Sequence, residues 1–271
     1  MGLWALIALR IGALSLERIA FHRLGRGTRA LAATMVAYGG AAVGLWIWAL
    51  AMGDVHWVAQ GFWPGAIYAG SFFLYTAALA EGPVGVVSGF ANVTVLFLFV
   101  AHPHWDLGTM AGLGFFLVGA AFLVSWNEPL SHSVVWMVAS GFLLACGRIM
   151  DMHQATLFSP SYAASLFTSV VLWLAIPTTF SRLWPAVARL TTSRASWALV
   201  ASGANGLAYL TVLALLPRLY PHLLEAVSSW SAVATTLVAV WLLGEGQASR
   251  KVAGAFLITG GTTMLLLFSH A

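Results

Sequence analysis

Residues 84–102 read VGVVSGFANVTVLFLFVAH, a run without one aspartate, glutamate, lysine or arginine. A helix needs about 20 apolar residues to cross a bilayer, and this stretch is about that long. A membrane-spanning strand would instead alternate apolar and polar residues over about 10 positions. Here the apolar run is continuous and roughly twice that length. Working outward, the same reading gives spans at about 2–21, 30–52, 58–80, 84–102, 108–126, 133–153, 162–181, 196–216, 222–243 and 252–268. Ten helices of this size use roughly 200 of the residues. Only short connections remain, with no room for a soluble domain. Turn chemistry marks several breaks, as at Gly82-Pro83, Ser159-Pro160 and Tyr220-Pro221.

Composition agrees. The 271 residues are 61% hydrophobic and only 7% charged, where a soluble domain carries about 25% charged residues. Twelve Lys+Arg and eight Asp+Glu are too few to coat a soluble globule. The 13 Trp and 16 Phe exclude a disordered chain, and the mean hydropathy is +0.90. The expected class is an all-α integral membrane protein, placed in a bacterial inner (plasma) membrane. Its pI of 9.6 is no nucleic-acid signal, because nine of the twelve basic residues lie in or beside short loops. The single cysteine, Cys146, excludes an internal disulfide and any Cys-based metal cluster. No basic stretch precedes the first apolar segment, which reads as a span and not as a cleavable leader.

The chain also repeats itself. Val87-Ser88-Gly89-Phe90 recurs as Val227-Ser228-Ser229-Trp230, and Arg18-Ile19 followed by His22 recurs as Arg148-Ile149 followed by His153. Gly112-Leu113-Gly114-Phe115 recurs loosely as Gly254-Ala255-Phe256-Leu257. The offsets are about half the chain. Five spans followed by five similar ones must sit in opposite orientations, an architecture of transporters with a site between the halves. The expected organisation is therefore two inverted five-helix repeats, residues 1–127 and 131–271.

Leu242-Leu243-Gly244-Glu245, followed by Gly254-Ala255-Phe256-Leu257-Ile258 and Gly260, resembles the second half of an EamA-type repeat of the drug/metabolite transporter superfamily. The resemblance extends over the whole chain as ten helices in two repeats. It implies a secondary transporter, more often an exporter, of amino acids or related metabolites. Two features depart from the family pattern. Asn92 and Ala232 stand where a proline is common in the fourth helix of each repeat, and the Leu-Gly-Glu ending is replaced by His102-Pro103-His104-Trp105-Asp106 in the first. Orientation is in tension. Arg18, Arg23, Arg26, Arg29, Arg182, Arg189, Arg194, Arg250 and Lys251 flank loops after helices 1, 7 and 9, which share a face. The positive-inside rule then puts both termini outside the cytoplasm, whereas the resemblance implies that they lie inside.

Ionisable groups in the bilayer are expensive, so each is a site candidate. Arg10 lies mid-helix and either contacts substrate or pairs with a carboxylate from another helix. Glu17 and Arg18 either snorkel or pair at the interface or act in coupling and gating. Arg148 and Asp151 are neighbours on one helical face and form either a local ion pair or a proton-coupled gate, with Arg148 meeting an anionic substrate group. Glu225 either complements the dipole of its helix or points inward as a second protonation candidate. Tyr75, Asn92, Asn205 and Tyr209 complete the expected substrate site, because a buried amide without partners is costly. Tyr68 and Ser71 share a stripe with Tyr75, and such groups either bind substrate or hold helices together.

There is no HExxH, GxSxG, P-loop or GxGxxG pattern, so no enzymatic activity and no cofactor are expected. His102, His104 and Asp106 share a turn but lack a fourth ligand, so no metal is expected. The reading is alternating access for a small polar or amphipathic metabolite, proton-coupled through Asp151 or Glu225, with a homodimer left open. Two other readings stand beside it. One is an intramembrane lipid-directed enzyme or flippase, and the other is a structural or regulatory membrane subunit.

Overall fold

A computed structural model describes residues 2–101, 106–124, 131–152, 159–215 and 221–268, with backbone alone for 151–152 and 221–223. The helices are α1 (Leu3–Gly25), α2 (Ala30–Ala51), α3 (Phe62–Glu81), α4 (Val84–Phe90), α5 (Val93–Ala101) and α6 (Leu107–Leu123). Then follow α7 (His132–Met152), α8 (Pro160–Phe180), α9 (Trp184–Ser193), α10 (Ala195–Leu215), α11 (Pro221–Leu242) and α12 (Ala248–Phe268). No strand occurs among the described residues. Seven segments are long and apolar enough to cross a membrane by length and composition: α2, the α4–α5 pair taken together, α7, α8, α10, α11 and α12. The chain is an all-helical membrane protein.

Two features depart from the sequence reading. The expected fourth span is interrupted at Ala91-Asn92 although no proline is present. The helical ladder tightens there, with Asn92 N–H donating to Gly89 O at 3.3 Å instead of reaching a full turn back. The expected connection Arg182 to Ala195 contains α9, which buries Leu190 and packs on α2 and α10. Elsewhere the ends follow local chemistry. Asp106 and Thr109 form a reciprocal capping box at α6, with Thr109 N–H donating to Asp106 Oδ1 at 2.7 Å. That capping role is the structural use of a residue considered above as a metal ligand. His102 and His104 lie outside the described residues. Ser159 caps α8 ahead of Pro160 at its first position.

The most extensive packing pairs α6 with α12, α1 with α10, α3 with α7 and α2 with α8. The α6–α12 seam is set by glycine. A Cβ on Gly119 would lie 2.6 Å from Ile258 N and 2.8 Å from Gly254 O, and one on Gly112 would lie 2.8 Å from Leu265 N. Only hydrogen at these positions lets the two backbones touch. Between α3 and α7, Ser71 and Ser140 exchange hydroxyl-to-carbonyl hydrogen bonds of 2.9 Å in each direction.

Polar side chains close the helix ends. Arg194 donates to the carbonyls of Arg23, Leu24 and Arg26 at 2.8, 2.9 and 2.9 Å, covering the C-terminus of α1. Arg250 does the same for α6 through Phe122 O at 2.6 Å and Val124 O. Glu245 pairs with Lys251 at 2.8 Å and accepts from Gly85 N–H at 3.2 Å. Its carboxylate thus sits at the N-terminus of α4, where a negative charge is favoured.

The α2–α3 connection is latched onto α8. Ser161 N–H donates to Asp54 Oδ2 at 2.9 Å, Ser161 Oγ donates to Asp54 O at 2.5 Å, and His56 Nδ1 lies 3.0 Å from Asp54 Oδ1. The Ser161 amide holds the Asp54 carboxyl below its ordinary value of 3.8, and His56 adds to this. A depressed carboxyl contributes stability that is fully present above the unfolded value and is lost as pH falls through the folded one. Melting in detergent across the acid range should therefore show a loss of stability below the ordinary value that Asp54→Asn lacks. Parallel acid profiles for the two proteins would remove Asp54 as its source.

Candidate functional site

Helices α1, α2, α3, α7, α8, α10 and α11, together with the α4–α5 break, enclose a cavity of about 150 Å³. An apolar cavity of about this volume admits a solute the size of benzene. Among the described residues five charged side chains line it: Arg10, Arg18 and Arg148 against Glu17 and Glu225. Three guanidiniums against two carboxylates leave one positive charge in excess.

Arg10 is 3% exposed, and its guanidinium is fastened from two sides. Nε donates to Ser228 Oγ on α11 at 2.5 Å, and Nη1 donates to Ala208 O on α10 at 2.8 Å. Glu17 and Arg18 are 5% and 6% exposed. Both side chains are thus covered by protein. The packing of α1 on α10, α11 and α3 supplies that cover. Arg18 faces Tyr75, yet its Nε and Nη1 are buried and find no hydrogen-bond partner among the described residues. Asn205 faces Tyr38 across the cavity.

Arg148 and Glu225 form an ion pair, Nε to Oε1 at 3.3 Å, and both are about one-fifth exposed. Glu225 therefore points inward. The pair joins α7 to α11, two helices with little other contact among the described residues. The side chain of Asp151, the neighbour expected for Arg148, lies outside the described residues. Removing one partner strands the other charge in a low-dielectric wall, at about 1–3 kcal/mol. Melting of Arg148→Gln, Glu225→Gln and the double variant should show the double losing less than the sum of the singles, by about 0.5–3 kcal/mol. Additive losses would mean that the pair carries no coupling.

The remaining expected residues converge on the same space. Asn92, at the helix break, lines the cavity and reaches Ser229 O and Thr259 Oγ1, both at 3.4 Å. Tyr75, Asn205 and Tyr209 line it from α3 and α10. Aromatic rings complete the wall. Tyr38 stacks on Phe72 at 4.3 Å, and Phe167 meets Tyr209 edge-on at 5.0 Å. Tyr68, which was seen only as part of a stripe, lies against Gly147, where a Cβ would come within 2.8 Å of its ring. Several cavity residues escape the sequence reading, Tyr38 and Ser228 among them. Tyr38 is the one tyrosine in a helix otherwise of small and apolar residues, which was its available signal. Ser228 is visible in the sequence only as a repeat marker. Among the described residues no group of three His, Cys, Asp or Glu could hold a metal ion.

No protein-family model matches this chain, and no curated protein matches it. The fold does have solved counterparts. One, described only as the crystal structure of a protein, superposes with a TM-score of 0.66 at 18% sequence identity, covering 98% of this chain and 96% of its own. At that identity the likeness is one of fold alone.

Proposed function

We propose that the protein is a secondary transporter, built as ten spans in two inverted EamA-like repeats, that moves a small carboxylate-bearing metabolite by alternating access. The observation that carries the substrate class is the cavity itself. Among the described residues it carries a net positive charge and is lined by a buried Arg18 whose Nε and Nη1 make no hydrogen bond. Buried donors without acceptors are rare in finished cores, and a carboxylate supplies the charge and acceptors that these need. A solute of benzene size in this state matches an amino acid or short organic acid, with the aromatic wall taking its apolar part. The interrupted fourth span at the cavity is the kind of broken helix that transporters place at a substrate site.

Packing supports the repeat reading. Exchanging the first five spans with the last five carries the α1–α10 pair onto α7–α3 and the α2–α10 pair onto α8–α3, and α2–α8 onto itself. On this reading the Arg148–Glu225 bridge is a gate, because it spans helices that are otherwise apart. Glu17, Asp151 and Glu225 are the groups whose protonation would couple flux to a proton gradient.

The test is a melting screen of the purified protein against amino acids, organic acids, phosphorylated sugars, nucleosides and cationic drugs, followed by counterflow in proteoliposomes. Stabilisation by a small carboxylate, with saturable counterflow of the same compound, is the expected result. Stabilisation confined to cations or neutral nucleosides would sink the substrate class.

A further inference from the structure

A second anion site stands outside the cavity. Gly27, Thr28 and Arg29 from the α1–α2 turn, and Arg189, Ser193 and Arg194 from α9, line an open basin on the face where α1 ends. We propose that this basin binds the phosphate of an anionic membrane lipid, independently of the transport reading.

Its composition is one-sided. Residues 22–31 and 181–195 hold six arginines and no carboxylate. Arg194 is locked by three carbonyls of the α1 end, so it forms a fixed wall. The side chains of Arg29 and Arg189 make no hydrogen bond or ion pair among the described residues, and both are exposed. Gly27, at φ 70°, lets the chain turn tightly there. Guanidiniums flanking hydroxyls suit a tetrahedral phosphate, which takes bidentate arginine contacts.

Location selects a lipid over a free anion. α9 lies between α8 and α10, two segments apolar enough to cross a membrane, so the basin sits at the bilayer surface. Beside it, Phe180 at the end of α8 is 84% exposed and Trp184 at the start of α9 is 44% exposed. Exposed aromatic rings next to a cationic pocket match the two chemistries of an amphiphile at headgroup depth.

The experiment measures melting of the full-length protein in neutral micelles doped with phosphatidylglycerol or with phosphatidylcholine, with and without excess inorganic phosphate. Three proteins are compared: the native chain, Arg29→Gln/Arg189→Gln, and Arg23→Gln/Arg26→Gln. The last pair removes the same charge from the same face outside the basin. Phosphatidylglycerol should stabilise the native chain and Arg23→Gln/Arg26→Gln, with apparent affinity about fivefold weaker per arginine lost from the basin. Phosphatidylcholine should have no effect, and free phosphate should not displace the lipid. Equal losses in both double variants would reduce the effect to diffuse charge attraction and overturn the site. Stabilisation by inorganic phosphate alone, abolishing the lipid effect, would overturn the lipid as its occupant. Equal melting in undoped micelles establishes that the variants fold.

Discussion

Arg18→Gln should cut carboxylate flux at least about 30-fold while leaving the melting temperature little changed. The two effects share a cause. Arg18 is buried with Nε and Nη1 unsatisfied among the described residues. A buried charge in such a place is a liability to the fold, and its removal offsets the loss of the charge beside Glu17, so the fold is expected to be little changed. The substrate loses a desolvated charge partner, worth about 2–5 kcal/mol, and each 1.4 kcal/mol is about tenfold in affinity. Arg148→Gln provides the contrast, because it breaks a direct ion pair that joins α7 to α11 and should lower the melting temperature. Counterflow and melting on the two variants separate the roles. Undiminished flux in Arg18→Gln, or a stability loss equal to that of Arg148→Gln, would assign Arg18 to scaffolding.

Gly119→Leu should lower the melting temperature by about 6–12 °C. The smallest added group would already lie 2.6 Å from the backbone of α12, and a helix backbone cannot yield as a flexible side-chain tip can. Overpacking costs about 1–3 kcal/mol and sometimes more. We expect about 3 kcal/mol here, at about 2–4 °C per kcal/mol for a large domain. Gly114→Leu is the control. It lies on the same helix with nothing within 4 Å of its Cβ position, so its melting point should hold or rise slightly with helix propensity. Equal losses in both would show that the seam is not what the glycines serve.

Much of the helix pattern was legible because continuous apolar runs of spanning length have few alternatives in water or lipid. The break at Ala91-Asn92 was not legible. No proline marks it, and Asn92 is stabilised by Ser229 and Thr259 from distant parts of the chain. α9 was hidden because it is short, and a short helix needs the tertiary support that α2 and α10 give it. Charged residues were legible as candidates but not as partners. Spacing along one helix offered Asp151 to Arg148, whereas Glu225 arrives from a helix more than seventy positions later. The cover over Glu17 and Arg18 was likewise hidden, since hydropathy along α1 does not reveal which neighbouring helices pack on that turn.

The glycine seam also bears on biosynthesis. Each of the most extensive pairings joins a helix before residue 127 to one after residue 131. α6 begins at Leu107 and its partner α12 at Ala248, so about 140 residues separate them, roughly 7–28 seconds of translation. Through that interval the nascent helix α6 must wait in lipid with its small-residue face uncovered. Helices α1 to α6 therefore emerge as a set of docking faces whose main partners are still to be made. A ribosome stalled after α11 would release a chain whose α6 glycines mark it for membrane proteases, and supplying residues 131–271 as a separate polypeptide would be the way to rescue residues 1–127.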